Sequence, residues 1–302
     1  MSLASRLIVT GLPLVPRFFV GRVARRYVAG ETRKEALATV RSLNSTGALA
    51  TLDLLGEEVA ERSKAEAAVG EYIGLFEDIE RLDLDANVSI KLTLLGLEID
   101  EEFCRENVDR IAGAAAKSGN FVRIDMEDSS CIDPTLRIYR AVHSRHGNLG
   151  VVFQAYMRRT LNDIGELPED RPNVRLCKGI YIEPRPLAWK GYETVRANYT
   201  AALEKLLRND VYVGIATHDE HLVCEAEILI DRLGVKPDRY EFQMLLGVDE
   251  ELRAIILDRG HRLRVYVPYG ADWYPYSIRR LRENPEVAKH VIRASLGLGS
   301  AR

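Results

Sequence analysis

Between residues 48 and 268 the chain alternates two hydrophobic patterns. Short apolar runs rich in β-branched residues give way to longer stretches with apolar positions at helical spacing. The strand-like runs cover residues 48–55, 87–93, 121–127, 150–156, 174–181, 211–218, 240–246 and 264–268. Helical periodicity marks residues 101–117, 135–144, 192–208, 220–232 and 250–259. Strands separated by helices are parallel, because each must return through a crossover. Eight such units close a barrel. The pattern therefore predicts an α/β chain: a distorted (β/α)8 barrel over residues 46–302, preceded by a helical extension over residues 1–45. An open doubly wound sheet is the competing architecture, but no Gly-x-Gly-x-x-Gly follows the first strand.

Barrel enzymes carry their chemistry at the C-terminal strand ends. Here those ends are polar. Lys91 follows the second run, Asp125 and Glu127 the third, Gln154 and Tyr156 the fourth. The fifth carries Arg175, Lys178 and Tyr181, the sixth ends in Thr217-His218-Asp219, and the eighth carries Tyr266. Individually such residues can be structural ion pairs facing the helices; together, on one barrel face, they predict a site. Lysines and arginines around one mouth match anionic groups, such as a cofactor pyrophosphate and a substrate carboxylate. A Schiff-base lysine is the other use of such residues. His143-x-x-His146 and His218-x-x-His221 lack companion carboxylates, so no metal is expected.

A second feature follows the eighth run. Asp272 is a fair N-cap and Pro275 suits a first helical turn. Arg279 and Arg280 then fall in the second turn, near a helix N-terminus that disfavours cations, with Tyr276 three residues earlier. Two guanidiniums beside an aromatic ring can hold a small carboxylate.

Composition narrows the function classes. A net charge of −3 over 302 residues gives no field for nucleic acid. Cys104, Cys131, Cys177 and Cys224 form no C-x-x-C pair, which points to a reducing cytoplasm. No apolar run reaches the roughly 18 residues of a membrane span. Arg6, Arg17, Arg22, Arg25 and Arg26 precede the first acid, Glu31. That start reads as a basic helix packed on the barrel, or as a transit or membrane-surface helix.

Seven segments, in order, resemble the proline dehydrogenases, also called proline oxidases. They are residues 88–93 (VSIKLT), 123–128 (RIDMED), 154–156 (QAY), 175–181 (RLCKGIY), 216–219 (ATHD), 241–247 (EFQMLLG) and 266–283. The resemblance spans residues 47–283, and the length is similar to the single-function bacterial type. It implies a distorted (β/α)8 barrel with FAD that oxidises L-proline to Δ1-pyrroline-5-carboxylate.

It also implies roles. Arg279, Arg280 and Lys91 would pair with the proline carboxylate, with Asp125 beside them orienting Lys91 or the arginines. Tyr266, Tyr276, Leu245 and Tyr181 would wall the ring. Arg175 would contact the isoalloxazine. Met126, Val152, Gln154, Lys178, Gly179, Thr217, His218 and Glu283 would hold FAD. Cys177 and Ile180 stand where the family more often has small aliphatic residues. Implied partners are a membrane quinone, with the enzyme cytoplasmic or peripheral at the inner membrane, and a separate pyrroline-5-carboxylate dehydrogenase. The alternatives are a folate-type flavin barrel, a lyase working through Lys91 or Lys178, and an amino-acid sensor without turnover.

Overall fold

The computed structural model describes residues 20–21, 24–167 and 172–283, with side chains as far as residue 278. Eight parallel strands close into a barrel in sequence order, β1 (Leu49–Leu54) also pairing with β8 (Leu263–Tyr269). Between them run β2 (Ala86–Ile90), β3 (Val122–Ile124), β4 (Leu149–Gln154), β5 (Asn173–Cys177), β6 (Tyr212–Ala216) and β7 (Tyr240–Leu245). The helices are α1 (Arg33–Asn44), α2 (Arg62–Arg81), α3 (Glu101–Lys117), α4 (Ile132–His146), α5 (Thr160–Gly165), α6 (Tyr192–Arg208), α7 (Glu220–Leu233), α8 (Glu250–Asp258) and α9 (Trp273–Glu283). The predicted (β/α)8 architecture is present.

Local chemistry sets several boundaries. Thr32 and Glu35 form a reciprocal capping box that starts α1, and Asp100 accepts from the Phe103 N–H to start α3. Gly147 and Gly234 end α4 and α7 in the left-handed conformation. Most strands are shorter than the apolar runs, β8 (Leu263–Tyr269) being longer than its run. β2 stops at Ile90, β3 at Ile124 and β6 at Ala216. Lys91, Asp125, Glu127, Thr217 and His218 thus lie just past the sheet, in the loops that line the barrel mouth.

The strands bury two chemically different faces. Leu52, Val88, Ile90, Ile124, Leu176 and Ile215 are fully buried among the apolar residues of the helices. Each contributes about 1.5–3 kcal/mol on leaving water. The alternate positions point into the barrel and are polar: Thr51 and Asp53, Ser89, Arg123, Arg175, Glu241 and Gln243, Arg264. Their bonds cross the lumen. Arg175 on β5 donates to Ser89 on β2 at 3.0 Å and to Gln243 on β7 at 2.5 Å. Arg264 donates to Glu241 at 2.6 and 3.1 Å and to the Ala50 carbonyl at 2.6 Å. Gly214 leaves room for this lattice, since a Cβ there would meet Gln243 at 2.4 Å. These strand residues pair across the lumen, not toward the helices.

One helix position departs from the regular barrel. α1 packs on β1 and β8, in the outer ring. The helix after β8, α9, instead brings Tyr276 to the cavity at the mouth, and Tyr276 clusters with Tyr27, Val28 and Leu55. Of the early arginines, Arg26 bonds the Gly247 carbonyl at 2.8 Å; Arg6, Arg17 and Arg22 lie outside the described residues. No described helix is long and apolar enough to cross a membrane.

Candidate active site

A cavity of about 600 Å³ opens at the C-terminal ends of the strands, a size suited to a small organic ligand or cofactor. Every residue that the family resemblance assigns to the site, and whose side chain is described, lines it; of the strand-end residues marked by the sequence, Glu127 and Tyr156 do not. Around it stand Lys91, Asp125, Tyr181, Leu245, Tyr266 and Tyr276, together with Met126, Val152, Gln154, Arg175, Lys178, Gly179, Thr217 and His218. The side chains of Arg279, Arg280 and Glu283 lie outside the described residues. A larger depression of about 750 Å³ lies on the surface between α7 and the residues around His261, away from the strand ends. Its charged residues are surface pairs, Glu227 with Arg259 at 2.7 Å and with His261 at 3.2 Å.

Two charge clusters organise the cavity. In the first, Asp125 Oδ1 receives Arg175 Nη1 at 2.5 Å and Oδ2 receives the Tyr266 hydroxyl at 2.8 Å. Lys91 Nζ is 4.0 Å from Asp125, but 2.5 Å from Asp53 and 3.3 Å from the Tyr266 hydroxyl. Asp125 is thus bonded to Arg175, and Asp53, from inside the first apolar run, to Lys91. Burial pulls the Lys91 ammonium down, but the charges of Asp53 and Asp125 outweigh it and hold its pKa above the usual lysine range. Burial, reinforced by the charges of Asp125 and Asp53, pushes the Tyr266 phenol far up, so it stays a neutral donor.

In the second cluster, at the rim, Asp219 accepts from Lys178 at 3.0 Å, from Tyr192 at 2.8 Å and from Arg196 at 2.6 Å. Burial works against this carboxylate, yet the bonds from Arg196, Tyr192 and Lys178 hold its pKa far below the usual range. Glu193 also pairs with Arg196 at 3.2 Å, so two acids face two cations at the rim. Beside it, the Leu245 N–H donates to His218 Nε2 at 2.8 Å. That ring is neutral, with its proton on Nδ1. Gln154 donates to the Met126 and Glu127 carbonyls at 3.1 and 3.2 Å, and its buried Oε1 has no hydrogen-bond partner among the described residues. Gly179 adopts φ +101 against the Tyr156 ring, where a Cβ would come within 2.1 Å.

Other polar residues stand aside from the chemistry. Glu127, lifted by burial to about 6, is held by the Thr93 hydroxyl and N–H. Burial raises the Cys177 thiol to about 11, which leaves it unreactive near neutrality. His143 bonds the Leu149 carbonyl, and His146 pairs with Asp109. Among the described residues no three His, Cys, Asp or Glu side chains are grouped to hold a metal.

A family model described as Proline dehydrogenase matches residues 36–293. The chain belongs to the proline dehydrogenase family. It is 36% identical over 273 residues to Proline dehydrogenase 1 of Bacillus subtilis (strain 168), covering 90% of each chain. It is 36% identical over 279 residues to Proline dehydrogenase of Deinococcus radiodurans, covering 91% of this chain and 90% of that one. Bifunctional protein PutA of Escherichia coli (strain K12) is 26% identical over 312 residues, 87% of this chain but 23% of that one. Proline utilization A from Bdellovibrio bacteriovorus, solved after inactivation by N-propargylglycine, superposes with a TM-score of 0.81 at 24% identity. The match covers 87% of this chain and 32% of that one, and shows a shared fold.

Proposed function

We infer that this protein oxidises L-proline to Δ1-pyrroline-5-carboxylate with FAD, and that the lumen cluster binds the substrate while the rim binds the cofactor. The observation that carries the reading is the placement of Lys91, Tyr181, Leu245, Tyr266 and Tyr276 around one cavity. A cation and a set of apolar or aromatic walls are what a small ring bearing a carboxylate requires.

The donor set suits a flavin. The orphaned Gln154 Oε1 calls for a ligand N–H, which a flavin's pyrimidine edge offers. The Lys178–Arg196 side of the rim complements a pyrophosphate. Thr217, His218, Gly179, Met126 and Val152 complete that wall, and Glu283 joins it by sequence resemblance. A bound flavin supplies the acceptor for the substrate's two electrons.

The protein's own part is geometry and charge. Lys91 anchors the carboxylate, with Arg279 and Arg280 joining it by sequence resemblance. The tyrosines and Leu245 fix the ring plane, which is an entropic contribution. Asp125 is engaged by Arg175 and Tyr266, so it orients donors and is not placed as a base. The substrate amine enters unprotonated and needs no base. Lys91 and Lys178 are each paired with a carboxylate, and Lys91 is held protonated, which argues against the Schiff-base lyase. A membrane quinone is the proposed electron acceptor, reached from the cytoplasm or the inner-membrane surface. A separate pyrroline-5-carboxylate dehydrogenase is the proposed consumer of the imine.

Incubation with L-proline and an artificial electron acceptor tests the activity. The expected result is one cyclic imine per two electrons transferred. A borohydride-trapped lysine adduct, or acceptor reduction without imine, would overturn it.

Tyr266 also offers a prediction about selectivity. Its ring lies beneath the Arg175 guanidinium, 5.3 Å from the ring centroid, and lines the cavity. We place it against the ring carbon that bears the hydroxyl of 4-hydroxyproline. Tyr266→Ser is expected to narrow the preference for proline by about tenfold, the lower range for discrimination by a crowded pocket. The ratio of the two kcat/KM values measures it, and an unchanged ratio would remove Tyr266 from that wall.

A further inference from the structure

We infer that Asp53 is a positioning residue for substrate binding, holding the Lys91 ammonium at the cavity wall where it meets the substrate carboxylate. The inference rests on the reading of Lys91 as a carboxylate anchor. Asp53 sits on β1, two residues after Thr51, and shares its inward face; Leu52 between them faces the helices. It is fully buried and lies behind the cavity lining, so it does not touch substrate.

Three observations set its role. First, Lys91 Nζ lies 2.5 Å from Asp53 Oδ1, and among the described residues Lys91 is the cation within 4.0 Å of this carboxylate. Second, Asp125 stands farther off, 4.0 Å from Lys91 Nζ, and its oxygens are bonded to Arg175 at 2.5 Å and to Tyr266 at 2.8 Å. Third, lysine is a point charge on a flexible stem and must be restrained from outside to aim at one spot. A buried ion pair is seldom the most stable filling for its volume, since apolar residues often replace one at no cost. That makes a pair at the edge of a binding cavity more readily explained by function than by folding.

The same pair controls the charge of Lys91. Facing its ammonium are Asp53 from β1, Glu57 from the loop beyond β1, Asp125 after β3 and the Tyr266 phenol from β8. Around Asp53 itself stand Tyr72 from α2 and Tyr269 from β8. Burial alone would lower the ammonium's pKa. Without the Asp53 charge, Lys91 loses its proton at a lower pH and stops attracting a carboxylate.

The test uses the full chain in four forms: wild type, Asp53→Asn, Lys91→Met and the double variant. Kinetics with L-proline and a dye acceptor are followed across pH, with thermal unfolding alongside. Asp53→Asn is expected to lower kcat/KM about 10- to 100-fold, mainly through KM, as for a misplaced binding group. It should also bring a descending alkaline limb into the kcat/KM profile that wild type and Lys91→Met lack. The double variant should match Lys91→Met in KM and unfold at a higher temperature, having no lone buried carboxylate. If Asp53→Asn does not fold, Asp53→Glu carries the test: it should raise KM without the new limb, and a wild-type KM would refute the inference. A raised KM in Lys91→Met with wild-type KM and pH profile in Asp53→Asn would overturn the role of Asp53 alone. Independent, multiplying effects of the two substitutions would overturn it as well. A wild-type KM in Lys91→Met would instead overturn the anchor reading on which it rests.

Discussion

Lys91→Met is expected to raise KM for L-proline by roughly 30- to several-thousand-fold, with a smaller loss in kcat. Lys91 is 5% exposed and lies against the cavity. A carboxylate that meets it there is largely desolvated. Truncating one partner of such a pair costs about 2–5 kcal/mol, and about 1.4 kcal/mol is a factor of ten in affinity. The loss falls on KM because an anchor grips ground state and transition state alike. Some loss of kcat follows from a ring that is less well aimed. The substitution also strands Asp53, whose carboxyl is already pushed up by burial, so that acid takes up a proton more readily. Thermal unfolding therefore accompanies the kinetics, to separate a weaker site from a weaker fold. A folded variant with KM within twofold of wild type would show that Lys91 anchors nothing.

Glu241→Gln should produce the largest loss of stability. Glu241 is 2% exposed and accepts from Arg264 at 2.6 and 3.1 Å, Gln243 at 2.6 Å and Tyr212 at 2.9 Å. Glutamine keeps the shape but leaves the buried Arg264 guanidinium uncompensated. Breaking a buried pair in this way costs about 3–5 kcal/mol, which lowers Tm by about 10 °C in a chain of this size. The effect has a pH signature. Burial raises the Glu241 pKa, but Arg264 and the hydrogen bonds outweigh it, so the folded value lies below the ordinary one. A carboxyl with a depressed folded pKa adds stability above its unfolded pKa and loses it as pH falls through the folded value. The Tm gap between wild type and Glu241→Gln should therefore be widest above about pH 5, just over the unfolded glutamate pKa, and shrink on acidification. A gap that widens in acid would contradict this account. Gln243 links Glu241 to Arg175 at 2.5 Å, so activity should fall before the fold is lost.

Much of this site was legible because barrel chemistry collects at strand ends, and the polar residues there follow apolar runs with a period of two. Lys91, Asp125, Gln154, Lys178 and His218 were visible in that way. Asp53 stood within an apolar run, and its alternation with Thr51 was the signal that it faces the lumen. Gln243 carried the same signal beside Glu241. Arg196 and Tyr192 gave none, because charged and aromatic residues in the first turns of an amphipathic helix ordinarily face solvent. Strand ends were overextended for a related reason. Apolar character continues beyond the ladder where loop residues such as Met126 line the cavity, so hydrophobicity alone does not mark where β3 stops. Which acid serves which cation could not be read from spacing at all. Asp53 and Lys91 are 38 positions apart, and it is the parallel pairing of β1 with β2 across the α2 crossover that brings them together.

The most direct test of the central claim is anaerobic titration of the purified protein with L-proline, followed by its visible spectrum. A flavin band that bleaches with proline, and returns on addition of a quinone or dye but not of a nicotinamide, is the predicted result. A colourless protein, or a flavin band unchanged at high proline, would contradict it.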